Sequence, residues 1–333
     1  MKKLINDVDN IVDEMLEGMV CAYPGHIRRL EGLDVIVRAD ESGEKVALVT
    51  GGGSGHEPAH GGYVGKGMLD GAVAGAIFTS PTPDQVYEAI KATDSGKGVL
   101  LIVKNYSGDI MNFEMASDMA MDEGIQVEQV VVDDDVAVEN STWTIGRRGV
   151  AGTILVHKIT GACAEAGNDL SEVKRVAEKV IANVRTMGMA LNACTVPAAG
   201  KPSFDLEEEE VEIGIGIHGE PGVNREKSEP ADATADKLLA KILDENIFNN
   251  GDEVVVLVNG LGGTPLMELF IANRHINKVL GDKGIKIYKS MVGNYMTSLD
   301  MAGFSITLLK LDDELKGFLD APCDTPALVV PAR

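Results

Sequence analysis

Three short apolar runs, each breaking into a loop of glycines and charged residues, constrain this chain more than any other feature. Residues 46–50 (VALVT) lead into GGGSGHEP at 51–58, residues 99–103 (VLLIV) into KNYSGD at 104–109, and residues 254–258 (VVVLV) into NGLGGTP at 259–265. Runs this short, apolar throughout and rich in β-branched residues, fit strands buried on both faces, as in sheets covered by helices. Further strands are expected at 35–38, 72–78, 127–132, 285–292 and 304–311, and another from Val211 into GIGIHGEPG at 214–222. Helical spacing appears at Ile5, Val8, Ile11, Val12, Met15, Leu16, Met19 and Val20, and helices are also expected after Pro83, at 110–123, 150–167, 171–190 and 231–243.

Strand and helix therefore alternate, which predicts an α/β fold: two α/β domains, each a mostly parallel or mixed sheet flanked by helices. A length of 333 residues suits two domains better than one. The stretch NACTVPAAGKPSF at 192–204, made of small residues and prolines, reads as the linker, so the domains are drawn at 1–191 and 192–333.

Thirty Lys and Arg against 52 Asp and Glu give a formal charge of −22. Such a surface repels phosphate backbones and anionic lipid, which argues against nucleic-acid or membrane-surface partners. It favours solubility, and it would attract a basic protein. No stretch approaches the ~18 apolar residues needed to span a bilayer, and MKKLINDVDN is followed by no apolar signal core. Cys21, Cys163, Cys194 and Cys323 form no C-x-x-C pair, so zinc and dithiol chemistry lack support, and the pattern fits a reducing cytosol.

Open α/β sheets bind ligands beyond the carboxyl ends of their strands, and that is where the loops above fall. His218 lies where a strand runs out into a turn punctuated by Gly219, Pro221 and Gly222. It can be a ligand, a base, a nucleophile or a hydrogen-bonded loop histidine. The glycines and proline would leave space beside its ring. His56-Glu57-Pro58-Ala59-His60 matches H-E-x-x-H, the zinc-protease pattern, but Pro58 obstructs the helix which that chemistry needs. His56 is then a loop residue for acid/base work or hydrogen bonding, with Pro58 at a first helical position and His60 packing in the first turn. The amides of residues 51–55 can hold a phosphate, a hydroxyl or a carbonyl, or make a tight turn with no ligand; no nucleotide-binding fingerprint is present. Lys104 and Asp109 bring a cation and a carboxylate to one strand end, where Asp109 can act as a general base or cap the next helix. Asp133, Asp134 and Asp135 could hold a hard cation, but adjacent residues point to opposite faces, so solvated or capping roles are favoured and no metal is expected. His26, His157 and His275 read as surface or packing residues.

Taken together, GGGSGHEP at 51–58, FTSPTPD at 78–84, KNYSGDIMNFE at 104–114, VVVDDDVAV at 130–138, GRRGVAGT at 146–153, CTVPAAGKPSF at 194–204, GIGIHGEPG at 214–222, NGLGGTPLMEL at 259–269 and YMTSLDMAGFSITLLKLDDEL at 295–315 resemble the dihydroxyacetone kinase family, in particular its substrate-binding K subunit. The resemblance covers nearly the whole chain. It implies a cytoplasmic homodimer and a covalent step in which a histidine nitrogen adds to the ketone carbon of dihydroxyacetone, forming a hemiaminal. His218 matches that histidine, His56 its acid/base partner, and Asp109 the residue that activates the hydroxyl to be phosphorylated. Gly53, Ser54, Gly55 and Lys104 match substrate contacts, as do His56 and Asp109. Family members that use ATP directly carry a further all-helical domain, for which 333 residues leave no room. The expected type is the phosphotransferase-system-dependent one. There ADP and Mg belong to a separate L subunit, recharged by an M subunit, and the K chain itself holds no cofactor. Some relatives instead sense dihydroxyacetone as transcriptional co-regulators, and retention of His56, Asp109 and His218 together argues for the enzyme.

Overall fold

Helices and strands alternate along most of the chain in the computed structural model, which describes residues 2–40, 43–138, 146–220 and 222–332. In order they are α1 (Ile11–Ala22), β1 (Ile27–Arg29), β2 (Val35–Arg38), β3 (Ala47–Ser54), β4 (Gly71–Ile77), α2 (Pro83–Thr93), β5 (Val99–Lys104), α3 (Ser107–Asp122), β6 (Val127–Val132), α4 (Thr153–Glu165), α5 (Leu170–Asn183), β7 (Val184–Ala190), β8 (Glu210–Ile213), β9 (Asn224–Lys227), α6 (Ala231–Leu243), β10 (Glu253–Gly260), α7 (Leu266–Asp282), β11 (Lys286–Gly293), β12 (Gly303–Leu311) and α8 (Asp313–Asp320).

Two six-stranded sheets result. The first runs β1-β2-β4-β3-β5-β6, with β4, β3, β5 and β6 parallel and β1 and β2 antiparallel at one edge. The second runs β11-β10-β12-β7-β8-β9 and is antiparallel except between β10 and β11. Both sheets are mixed, as the alternation predicted.

The apolar runs are strands because neither of their faces meets water. Val254, Val256 and Val258 of β10 enter a core with α6 and α7, while Val255 and Leu257 enter a core with α4, α5 and α8. Likewise Val99, Leu101 and Val103 of β5 pack under α2 and α3, and Leu100 and Ile102 join the shared central core. The molecule is thus layered: α2 and α3, the first sheet, a middle layer of α1, α4, α5 and α8, the second sheet, then α6 and α7. Because α4 lies between the sheets, every residue from Thr153 to Ala164 is buried, which is why TILVHKITGACA shows no polar stripe. Each fully buried leucine, isoleucine or valine in this layer contributes about 1.5–3 kcal/mol by leaving water.

Three local expectations change. The helix expected over 171–190 stops at Asn183, and β7 follows at once in the second sheet, paired to β12. The partner lies more than a hundred residues downstream, so its hydrogen bonds override local helical spacing. The second sheet therefore reaches back across position 192 to Val184. Next, residues 51–54 are not a loop; they extend β3 and pair with β4. No α-helix follows Pro58, and His60 precedes a short 3-10 turn at Gly61–Tyr63. The carbonyls there are satisfied from the other lobe instead: Leu299 N–H donates to Gly55 O at 2.7 Å, Thr297 N–H to His56 O at 3.1 Å and Thr297 Oγ1 to Glu57 O at 2.8 Å. Finally, Asp134 and Asp135 are buried and take the capping alternative rather than the solvated one, Asp135 Oδ1 accepting from Ala137 N–H at 2.9 Å. Asp134 accepts from Val150 N–H at 2.8 Å and Gly152 N–H at 2.7 Å and from the Thr186 hydroxyl, tying the start of α4 to β7. Asp135 pairs with Arg148 at 2.7 Å.

Candidate active site

The parallel strands β3, β4 and β5 end on the same edge, and the loop after β8 closes over it. Gly53 from β3, Phe78 and Ser80 beyond β4, Tyr106 to Asp109 at the start of α3, and His218 to Glu220 from the second lobe line a cleft of about 510 Å³. The site thus lies between the lobes.

His218 is held edge-on by three rings. The centroids lie 4.3 Å away for Tyr106, 4.8 Å for His56 and 5.6 Å for Phe78, all nearly perpendicular to it. Its backbone N–H donates to Glu220 Oε2 at 2.8 Å. The loop before it is anchored by Arg148, which donates from Nη2 to Gly214 O at 2.7 Å and lies 3.8 Å from Glu220 Oε1. The turn glycines also serve packing: a Cβ on Gly219, which lines the cleft beside His218, would meet Cys194 Sγ at 2.7 Å, and one on Gly222 would meet Ile213 O at 2.2 Å. Pro221 lies outside the described residues.

His56 is wholly buried, stacked on Phe78 at 5.1 Å. Its Nδ1 lies 2.8 Å from Thr297 O. A carbonyl only accepts, so Nδ1 carries the proton and Nε2 carries a lone pair. That Nε2 is buried without a partner. Burial, reinforced by the Lys104 charge, pushes His56 down to about 3. Burial, then His56, Lys104 and Arg148, holds His218 well below its ordinary value. Two neutral imidazoles therefore face each other at neutral pH.

Asp109 is 2 % exposed and is the third residue of α3, whose N-cap is Tyr106. Capping its own helix is thus not its role. Burial raises its pKa, opposed by Lys104 and by a hydrogen bond from Ser80. Lys104 lies beneath β3 and is not among the cleft-lining residues; its Nζ donates to Gly51 O at 3.1 Å and His60 Nε2 at 2.9 Å, and lies 3.7 Å from Asp109 Oδ2. Residue 52 must be glycine for this, since a Cβ there would sit 2.3 Å from Lys104 Nζ. Ser54 Oγ is spent on Gly75 O at 2.7 Å and Gly55 N–H on Glu57 Oε1 at 3.0 Å. His56 and His60 diverge, one toward His218 and the other toward Lys104 and His157, and the described residues contain no cluster suited to a metal ion.

Sequence reasoning missed Tyr106, Phe78, Glu220 and Arg148. Tyr106 and Glu220 sit within the loops already singled out, so proximity was their only signal. Arg148 lies in the block GRRGVAGT, but nothing local marked its role, because its partners Asp135 and Gly214 lie elsewhere in the chain.

The Dak1 domain family matches residues 17–327. A Listeria innocua protein described as the dihydroxyacetone-binding subunit of a phosphotransferase-system-dependent dihydroxyacetone kinase is 58% identical over 328 residues, covering 98% of this chain and all of the relative. The solved dihydroxyacetone kinase of C. freundii, in complex with AMP-PNP and Mg2+, superposes with a TM-score of 0.91 at 35% identity over 99% of this chain and 61% of its own. A dihydroxyacetone kinase operon co-activator superposes with a TM-score of 0.88 at 39% identity over 97% of this chain and 98% of its own. A match along this much of the sequence, with the lobes arranged alike, makes the chain a member of the Dak1-domain dihydroxyacetone kinase family.

Proposed function

We propose that this chain is the dihydroxyacetone-binding subunit of a phosphotransferase-system-dependent kinase, and that it holds its substrate covalently on His218. The observation that carries the reading is the pair of neutral imidazoles: His218 at the cleft wall and, 4.8 Å away between centroids, His56 with an unpartnered Nε2. A ring nitrogen of His218 adds its lone pair to the ketone carbon. The carbonyl π pair moves onto oxygen, His56 Nε2 takes the proton that the His218 ring releases, and the same proton returns to the alkoxide. Such a step selects by chemistry where hydrogen bonds cannot, because glycerol offers even more hydroxyls but no carbonyl to attack.

Asp109 then removes the proton from a substrate hydroxyl as that oxygen bonds phosphorus and the bond to ADP breaks. A buried carboxylate with a raised pKa suits this role, since a base is most effective near the working pH. The donor, ADP-bound phosphate with Mg2+, resides on a separate L subunit recharged by an M subunit, and the K chain acts as a homodimer in the cytoplasm. The described residues hold no helix long and apolar enough to cross a membrane. The test is reconstitution with candidate L and M subunits while following dihydroxyacetone phosphate. Formation of product from phosphoenolpyruvate supports the reading, and product from ATP by the purified chain alone overturns the donor assignment.

The likeness to an operon co-activator supports a second reading, in which the same capture step reports dihydroxyacetone to a transcription factor. A ligand-dependent complex with a DNA-binding protein, without turnover, would favour it.

A further inference from the structure

Behind the cleft, four titratable groups stand in a row that the proposed reaction leaves unused beyond its first member. Asp109 Oδ2 lies 3.7 Å from Lys104 Nζ, Lys104 Nζ lies 2.9 Å from His60 Nε2, and His60 Nδ1 lies 3.1 Å from His157 Nε2. Lys104 and His157 are wholly buried, and Asp109 and His60 nearly so. The direction of the bonds follows from chemistry. An ammonium has only donors, so His60 Nε2 accepts. His60 must then carry its proton on Nδ1 and donate it to His157 Nε2, which leaves the His157 proton on Nδ1, an atom with no partner. The members come from β5 and α3, the turn after β3, and α4, so the row exists only in the folded chain.

We propose that His60, whose Nε2 accepts from Lys104 while its Nδ1 donates to His157, is a positioning residue for Lys104 and, through Lys104, for Asp109. A buried ammonium needs acceptors in place of water. Gly51 O supplies one and His60 Nε2 another, both neutral. A carboxylate at position 60 would also satisfy Lys104, but it would compete with Asp109 for the positive charge. A neutral imidazole satisfies the ammonium and leaves its charge directed at Asp109. Besides Lys104, the titratable groups around this row are His56 beside the cleft, Tyr106 one turn before Asp109, and His218 across from them. Burial and the Lys104 charge hold His60 and His157 neutral, His157 at about 3.

The inference rests on Asp109 being the base, so its test separates the two. In the full-length chain, the Asp109 carboxyl is titrated by carbon NMR. His60→Leu, which removes the acceptor, raises the Asp109 pKa by about one unit or more, as expected when a carboxylate loses part of its cation. His60→Gln, whose amide oxygen reaches the place of Nε2, restores it. With the partner subunits, His60→Leu moves the acid limb of the rate profile upward while dihydroxyacetone trapping on His218 stays at the parent level. An unchanged Asp109 titration in His60→Leu overturns the positioning role. Full turnover by Asp109→Asn overturns the base assignment instead and leaves the titration result standing. Should His60→Leu fail to fold, nitrogen NMR of the unmodified chain decides: neutral His60 protonated on Nδ1 supports the proposal, and protonation on Nε2 or on both nitrogens overturns it.

Discussion

The His56 and His218 rings come from different lobes and meet at 4.8 Å with an angle of 72°. Neither lobe alone contains the pair. The chemistry of the site therefore depends on how the lobes are held together as much as on the residues themselves.

Replacing His218 with alanine should abolish the covalent adduct with dihydroxyacetone, because no other ring nitrogen lines the cleft among the described residues. Intact-protein mass spectrometry after incubation with the ketone checks this. An adduct of unchanged yield would falsify covalent capture at His218.

Asp109→Asn should separate capture from transfer. Trapping on His218 is expected to persist, while turnover with the partner subunits drops by roughly 10²–10⁴, the usual worth of a positioned general base. A variant that turned over at the parent rate would remove Asp109 from the mechanism.

Arg148 is 2 % exposed and its main partner, Asp135, is 1 % exposed. Removing one member of such a pair leaves an unpaired buried charge, so Arg148→Met should cost about 3–5 kcal/mol. The change also frees Gly214 O and should loosen the His218 loop. Combining it with Asp135→Leu should recover much of the stability but not the trapping rate. Urea unfolding of the single and double variants, with adduct kinetics on each, tests both parts; a single variant as stable as the parent would contradict the first.

Stability should fall in mild acid. His56 and His157 are held at about 3, against ~6.5 in an unfolded chain. Below ~6.5 the unfolded chain takes up these protons and the folded chain does not, so their stability is present above ~6.5 and is lost as pH falls toward about 3. At pH 5.5, one unit below the unfolded value, each removes about 1.4 kcal/mol. His60 and His218 act in the same direction. Asp134, raised to about 6, acts oppositely, as do Glu57, Asp109, Asp135 and Glu220, whose pKa values burial also raises, and these offset part of the loss. The urea midpoint should thus be lower at pH 5.5 than at pH 7, with a shallower dependence in His157→Asn. Equal midpoints at the two pH values would rule this out.

Much was legible in the sequence. Strands at 35–38, 99–103, 127–132 and 254–258 appear within a residue or two of their expected places, because apolar runs buried on both faces carry their signature locally. The loops holding His56, Asp109 and His218 were legible too, since glycine and charge at strand ends mark a binding edge whatever the ligand. Segments whose hydrogen-bond partners lie far away were not legible. β7 looked helical because β12 is out of sight of a local window, and the turn around Pro58 looked like a helix start because Thr297 and Leu299 were not visible as its partners.

The sequence by itself therefore determined the alternation of strand and helix, the family, and which residue types stand at the strand ends, all properties of contiguous stretches. Only the tertiary structure decided that His56 points at His218 while His60, four residues later, turns away to Lys104 and His157. The physical reason is that a side chain's protonation and direction depend on burial and on its nearest polar partners. Those partners, Thr297 for one histidine and Lys104 and His157 for the other, are brought to them from elsewhere in the chain by packing.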